Sequence, residues 1–267
     1  MLAVGGSMAA NGATKITQEN VPLTSTEFEE QSNGGITLAS TNTDTGYADE
    51  EDYTLSLWFK ITVDQSGVNN EDYDVIMFGK GSRGGFAIMI NDETGDDEHV
   101  RIRHYTDGMA LGTFDDTTNL AHDTWYHLAV TYKYSLDTVK IYIDGALSTT
   151  HTSAQAPTQI ATPQFVCKGY GLGSTGFDGW LNNFGYWSSH FSDSQILELY
   201  NGGNSCDITK IDPDNQKCIY LFDSRDSSGS DNVKDYGPHG AHLTAESSIA
   251  DSDFEKSETS KNTLVAL

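Results

Sequence analysis

The stretch Asp123–Gly145, DTWYHLAVTYKYSLDTVKIYIDG, decides the fold. In its first half Tyr126, Leu128, Val130 and Tyr132 share one face of an extended chain, and Trp125, His127, Ala129 and Thr131 share the other. This period of two, carried by aromatic and β-branched residues, predicts a strand rather than a helix. Lys133 to Asp137 supply a polar turn. Val139, Ile141 and Ile143 then alternate with Lys140 and Tyr142, up to the pair Asp144-Gly145. Asp-Gly favours a two-residue hairpin loop, in which both residues take positive φ. A hairpin with one apolar face must bury it, so a second sheet is expected over it.

Outward from this hairpin the chain reads as nearly all strand. Tyr53–Ile61 sets Leu55, Leu57 and Phe59 against Thr54, Ser56, Trp58 and Lys60. Val75–Phe78 and Gly85–Ile90 follow, joined by the turn Gly79-Lys-Gly-Ser-Arg-Gly-Gly85. That turn is no phosphate loop, because its order is wrong and no helical pattern follows it. Asn91–Glu98 is a further turn leading into a strand, His99–Tyr105, while Thr106–Leu120 and Thr149–Pro163 read as loops. Gln164–Gly173 and Phe177–Trp187 carry later strands. Ser192 with Gln195 makes a capping box, and Ile196, Leu197, Leu199 and Tyr200 form the stripe of a short helix ended by Gly202-Gly203.

Lys and Arg number 15 against 39 Asp and Glu, a formal net charge of -24. Such a surface excludes nucleic acid, which needs a basic footprint, and avoids anionic membranes. No apolar run approaches the ~20 residues of a spanning helix, and the N-terminus lacks the charged start of a signal peptide. The three cysteines are an odd number; Cys206 and Cys218 could pair, but reduced thiols are favoured, with Cys167 as a small core residue.

The central hairpin closely resembles that of laminin-G-like domains in the concanavalin A-like lectin/glucanase superfamily. Tyr53–Lys60 resembles the family's early core strand, and Phe177–Leu181, Tyr186-Trp187 and Ser192–Gly203 its closing strands and terminal helix. The resemblance implies an all-β fold, a jelly-roll β-sandwich with one short helix. It covers roughly residues 35–203; on this reading 1–34 are an arm or linker, 35–249 the sandwich with 204–249 adding edge strands, and 250–267 a tail. In 204–249, Cys218–Phe222 and His239–Thr244 read as strands around the turn-rich DSRDSSGSDNVKDYG. That segment resembles one that precedes the first core strands in many laminin-G-like domains, and following the helix it is similar to laminin-G-like proteins of marine bacteriophages.

The superfamily holds lectins, glycosidases and adhesion modules, so function rests on particular residues. Its glycosidases carry Glu-x-Asp-x-x-Glu on one strand. Here Glu50-Glu51-Asp52 begins the pattern but Leu55 breaks it, so catalysis is not expected. No catalytic Ser/His/Asp set or His-rich metal motif is recognisable, and His127 reads as a packed strand residue. Sugar binding needs a flat aromatic near polar groups, and the candidates are Tyr105, Tyr170, Trp180 and Trp187 near strand ends; Trp58 and Trp125 read as core. Asp92, Asp96 and Asp97, with Asp115 and Asp116, could supply oxygen to calcium, which laminin-G-like domains often hold at the rim. Asp178, Asp223, Asp226 and Asp235 read as turn caps. The expected role is a non-catalytic module on a virion surface (capsid decoration, fibre or tail-associated). Its expected partners are glycans or a host cell surface, virion proteins through the arm or tail, and in one variant further copies of itself. The alternative is an extracellular carbohydrate-active enzyme or its accessory domain.

Overall fold

The computed structural model describes residues 26–28, 38–39, 47–48, 50–61, 72–78, 83–93, 97–107, 109–158, 164–166, 175–177, 179–222 and 233–245. Among these, the larger sheet runs in the order β1 (Thr26–Phe28), β13 (Gly179–Trp187), β3 (Tyr53–Ile61), β8 (Trp125–Lys133), β9 (Thr138–Ile143) and β10 (Ala146–Thr152). β14 (Gln216–Tyr220) shares the outer edge of β13 with β1, the two pairing with different halves of it. The opposing sheet runs β11 (Gln164–Val166), β4 (Asp72–Phe78), β5 (Arg83–Glu93), β6 (Asp97–Asp107) and β7 (Met109–Asp115), with β12 (Thr175–Gly176) parallel to β4. A small antiparallel pair joins β2 (Leu38–Ala39) to β15 (Thr244–Ala245).

The alternation in the sequence sets which side chains face inward. Leu55, Leu57, Phe59, Leu128, Val130, Ile141, Phe184 and Tyr186 from the larger sheet meet Phe86, Ile88, Ile90, Val100 and Ile102 from the smaller. The Asp144-Gly145 turn has φ of 53° and 75°, the double positive φ expected of it. The larger sheet also buries much of its outer face. There the turn before α1 (Asp193–Tyr200), the helix and the segment after it place Phe191, Ile196, Leu199, Cys206 and Ile208 on Ala129, Tyr142, Trp187 and Ile219. Ser192 and Gln195 form the capping box. Cys206 and Cys218 are both buried, and the Cys206 thiol donates to the Leu199 carbonyl at 3.4 Å.

Close packing at β13 depends on one glycine. A methyl group at Gly185 would lie 2.1 Å from Cη2 of the buried Trp187. Gly185→Ala is therefore expected to cost roughly 1–3 kcal/mol, the usual penalty of overpacking, read as a lower urea midpoint.

Several elements differ from the sequence expectation. β7 and most of β10 occupy stretches read as loops; ALSTTHT and MALGTFD lack an apolar alternation because β10 and β7 end their respective sheet orders. Thr26–Phe28, inside the segment read as an arm, pairs with β13. Leu197 is 57% exposed rather than part of the buried stripe, which Ile196 and Leu199 make. His239–Thr244 forms a bridged turn, not a strand, and only Thr244–Ala245 pair with β2. Cys167, Asp178, Asp223 and Asp226 lie outside the described residues. Asp235 does hold a turn, its carboxylate accepting hydrogen bonds from the backbone N–H groups of Ile219, Gly237 and Ala241 at 2.7–2.8 Å.

Candidate functional site

Strand register gathers three side chains at one end of the larger sheet's outer face. Trp180 on β13 is opposite Lys60 on β3, and Lys60 is opposite Trp125 on β8. All three occupy outward positions of the alternation. The Lys60 ammonium lies 5.0 Å from the centroid of Trp180 and 5.9 Å from that of Trp125. Among the described residues no carboxylate pairs with it. Trp125 and Lys60 are half-buried and Trp180 is 9% exposed. Since neighbouring strands lie about 4.8 Å apart, the two indoles stand on strands about 10 Å apart, a span suited to one or two sugar rings.

The row rests on a rigid floor. The next outward row is Asn182, Trp58 and His127, all buried. Tyr200, at the end of α1, stacks on Trp58 with centroids 6.0 Å apart and planes 23° apart. The His127 ring meets Ser56 Oγ through Nε2 at 2.9 Å, and its backbone N–H donates to Asp144 Oδ1 at 3.0 Å. His127 is thus a packed strand residue. Chain geometry at the row leaves no room beside β3, because a Cβ at Gly179 would lie 2.2 Å from the Lys60 carbonyl oxygen. Trp180 therefore follows a residue that only glycine can supply.

The other residues singled out in the sequence are placed elsewhere. Trp187 is fully buried, its indole N–H donating to the Ile211 carbonyl at 2.8 Å and its ring against Phe191, so no sugar can stack on it. Tyr105 is half-buried on the outer face of the smaller sheet, over Ala87 and Met89, on the opposite side of the sandwich from Trp180. Tyr170 lies outside the described residues. Trp125, read as core, and Lys60, read only as sharing a strand face with Thr54, Ser56 and Trp58, complete the row with Trp180. Their adjacency is set by cross-strand register, which residue spacing within either strand does not reveal.

Of the five acidic candidates, Asp115 and Asp116 have described side chains. Asp115 closes β7 and holds Arg101 through two hydrogen bonds, Nε to Oδ1 at 2.6 Å and the second arm to Oδ2 at 2.9 Å. Burial raises its pKa, but Arg101, His99 and His151 outweigh this and hold the carboxyl below its ordinary value. Asp116 is buried and accepts from the Thr118 N–H and the hydroxyls of Ser148 and Thr149, tying its loop to β10. Both carboxylates are engaged by these donors. Among the described residues no three His, Cys, Asp or Glu side chains gather as metal ligands. The side chains of Asp92 and Asp97, and all of Asp96, lie outside the described residues.

Comparison with known proteins bears on this fold. A laminin G family profile, described as the Concanavalin A-like lectin/glucanases superfamily, matches residues 30–197. The chain belongs to this superfamily. Compared by sequence with curated proteins, it matches none. By structure, this concanavalin A-like domain is similar to a carbohydrate-binding candidate from Bacteroides ovatus, with a TM-score of 0.58 and 15% identity over 90% of this chain. It spans 63% of that protein's length. It is also similar to the heptameric SAP-like pentraxin of Limulus polyphemus, with a TM-score of 0.53 and 10% identity over 67% of this chain and 82% of that one. At these identities the likeness is one of fold.

Proposed function

We propose that this concanavalin A-like domain is a non-catalytic glycan-binding module that takes sugar at the Trp180–Lys60–Trp125 row. The observation that carries the reading is the Lys60 ammonium set between two indoles on an outward face of the sheet. Indole faces stack on the C–H face of a pyranose, and a nearby cation orients its oxygens. The chain has no Glu-x-Asp-x-x-Glu on any strand, which is why binding, not hydrolysis, is proposed. The fold of the Bacteroides ovatus candidate agrees with a carbohydrate role.

The wider proposal is display on a virion surface, as capsid decoration, fibre or tail-associated protein, where the domain attaches to host glycans. Support comes from the order of helix, Tyr-Asn-Gly-Gly and the Ser/Gly/Asp-rich segment, which resembles bacteriophage members of the superfamily. Two measurements test the two parts. On a glycan array, the intact protein should bind, and Trp125→Ala should weaken binding about tenfold or more while leaving the unfolding free energy within about 1 kcal/mol of the parent. Binding unchanged by that substitution would remove the site. Mass spectrometry of purified particles should find the chain in stoichiometric amount, and its absence from them would end the virion reading.

A further inference from the structure

Resting on the glycan reading, we infer that the row selects sugars bearing a carboxylate and does so without a metal ion. In a chain with 39 acidic and 15 basic residues, a lysine has carboxylates available on most sides. Lys60 instead lies between two rings, and no described carboxylate neutralises it. Aromatic faces stabilise a cation modestly and leave its outward hydrogens to water. A ring stacking on Trp125 would strip that water from the ammonium. If the ring were neutral, the charge would be left desolvated with weak acceptors, which costs binding energy. A carboxylate on the same ring replaces the lost water with a charge-assisted hydrogen bond.

The geometry thus favours uronic or sialic acids and acts against their neutral counterparts, so selectivity comes from both the attraction and the penalty. The positive charge is covalently part of the chain. Carboxylate recognition here needs no bridging cation, because the Lys60 ammonium itself supplies the positive charge.

The test is calorimetric titration of the intact protein with trigalacturonate and with its methyl ester, which has the same rings without the charge. 3′-Sialyllactose and lactose serve as a second matched pair. The parent should prefer the acid of each pair by about tenfold or more, as expected for one charge-assisted hydrogen bond. Lys60→Met keeps the stem over the indoles and should abolish the preference; Lys60→Arg should keep it. A chelator should leave acid binding unchanged. Equal affinity for acid and ester, a preference that survives Lys60→Met, or loss of acid binding on chelation would each overturn the inference. If acid and neutral sugars bind equally and Trp125→Ala removes both, the glycan site stands and only the selectivity fails. If no sugar of either pair binds, the site and its selectivity fall together.

Discussion

Asp235→Ala is expected to destabilise the domain by about 3 kcal/mol or more, a fall of roughly 6–12 °C in Tm. The side chain is 3% exposed and its two oxygens serve three backbone donors. Oδ1 accepts from the N–H groups of Ile219, at 2.8 Å, and Gly237, at 2.7 Å; Oδ2 accepts from Ala241 at 2.8 Å. Around this clasp the Asp235 N–H donates to His242 Nδ1, and Val233 bridges Leu243. Removing the carboxylate strands three donors, two of them in buried bonds, and each unsatisfied buried group costs about 1–3 kcal/mol. Relaxation of the turn and entry of water recover part of that, which is why the expectation lies at the low end of the sum. Asp235→Asn sharpens the test. Its one carbonyl oxygen can keep the Ile219 and Gly237 bonds while its amide faces the Ala241 N–H, so its loss should fall between those of the parent and the alanine variant. Equal thermal midpoints for all three proteins would show that the clasp does not hold the C-terminal segment to β14. Because β14 pairs with Phe184–Trp187 of β13, hydrogen exchange in the alanine variant should rise first along β14 and residues 233–243.

What could be read in the sequence follows burial. β3 and β8 alternate strictly because each has a neighbour on both sides and a core beneath, so Leu55–Leu57–Phe59 and Leu128–Val130 announce themselves. β10 carries Ser148, Thr149 and Thr150 where a central strand would carry valine, since as the last strand of the sheet it is largely exposed, and it reads as a loop. The helix was legible through its cap, yet Leu197 counted toward its stripe although it points to solvent. The site is harder. Trp180 was a candidate from its place at a strand end, but Trp187, seven residues on along the same strand, looked equivalent and is core. The bulge between Asn182 and Gly185, with Asn183 at φ of 48°, turns Trp187 to the same outward face as Trp180, and Phe191 and α1 cover it there, a layer that alternation along β13 does not reveal. Lys60 and Trp125 lie 65 positions apart in the numbering and meet only because β3 and β8 pair. Single-strand patterns carry no information on that meeting.

Acid should weaken the fold through His104, a buried histidine that no ligand role needs. Its Nδ1–H donates to the Gln155 carbonyl at 2.7 Å, which fixes Nε2 as the acceptor of the Tyr53 hydroxyl, also at 2.7 Å. Phe114 and Tyr132 close over the ring edge-on, at 4.9 and 5.1 Å. Burial lowers its pKa from 6.5 to about 4, against the opposing pull of the Gln155 carbonyl. Between those two values the unfolded chain binds a proton that the folded chain refuses, so stability rises with pH in this window. The contribution is complete above about pH 6.5 and is lost as pH falls toward 4; below 4 both states are protonated and the loss stops growing. At about 1.36 kcal/mol per pH unit the full effect is roughly 3 kcal/mol. Burial also lowers the pKa of His190, together with the nearby Lys133, so it adds in the same direction. Tyr53 and Tyr132 have raised pKa values and do not titrate in acid. The two histidines are separable by His104→Gln, whose amide can take both hydrogen bonds without titrating. In urea titrations from pH 7 to pH 4 the parent should lose most of those 3 kcal/mol, and the glutamine variant should show a slope flattened to what His190 and the carboxylates leave. The imidazole nitrogens of His104 should report a neutral ring down to about pH 4, with the proton on Nδ1; a ring that protonates near 6.5 would mean that the core admits the charge and that His104 is not the source of acid sensitivity.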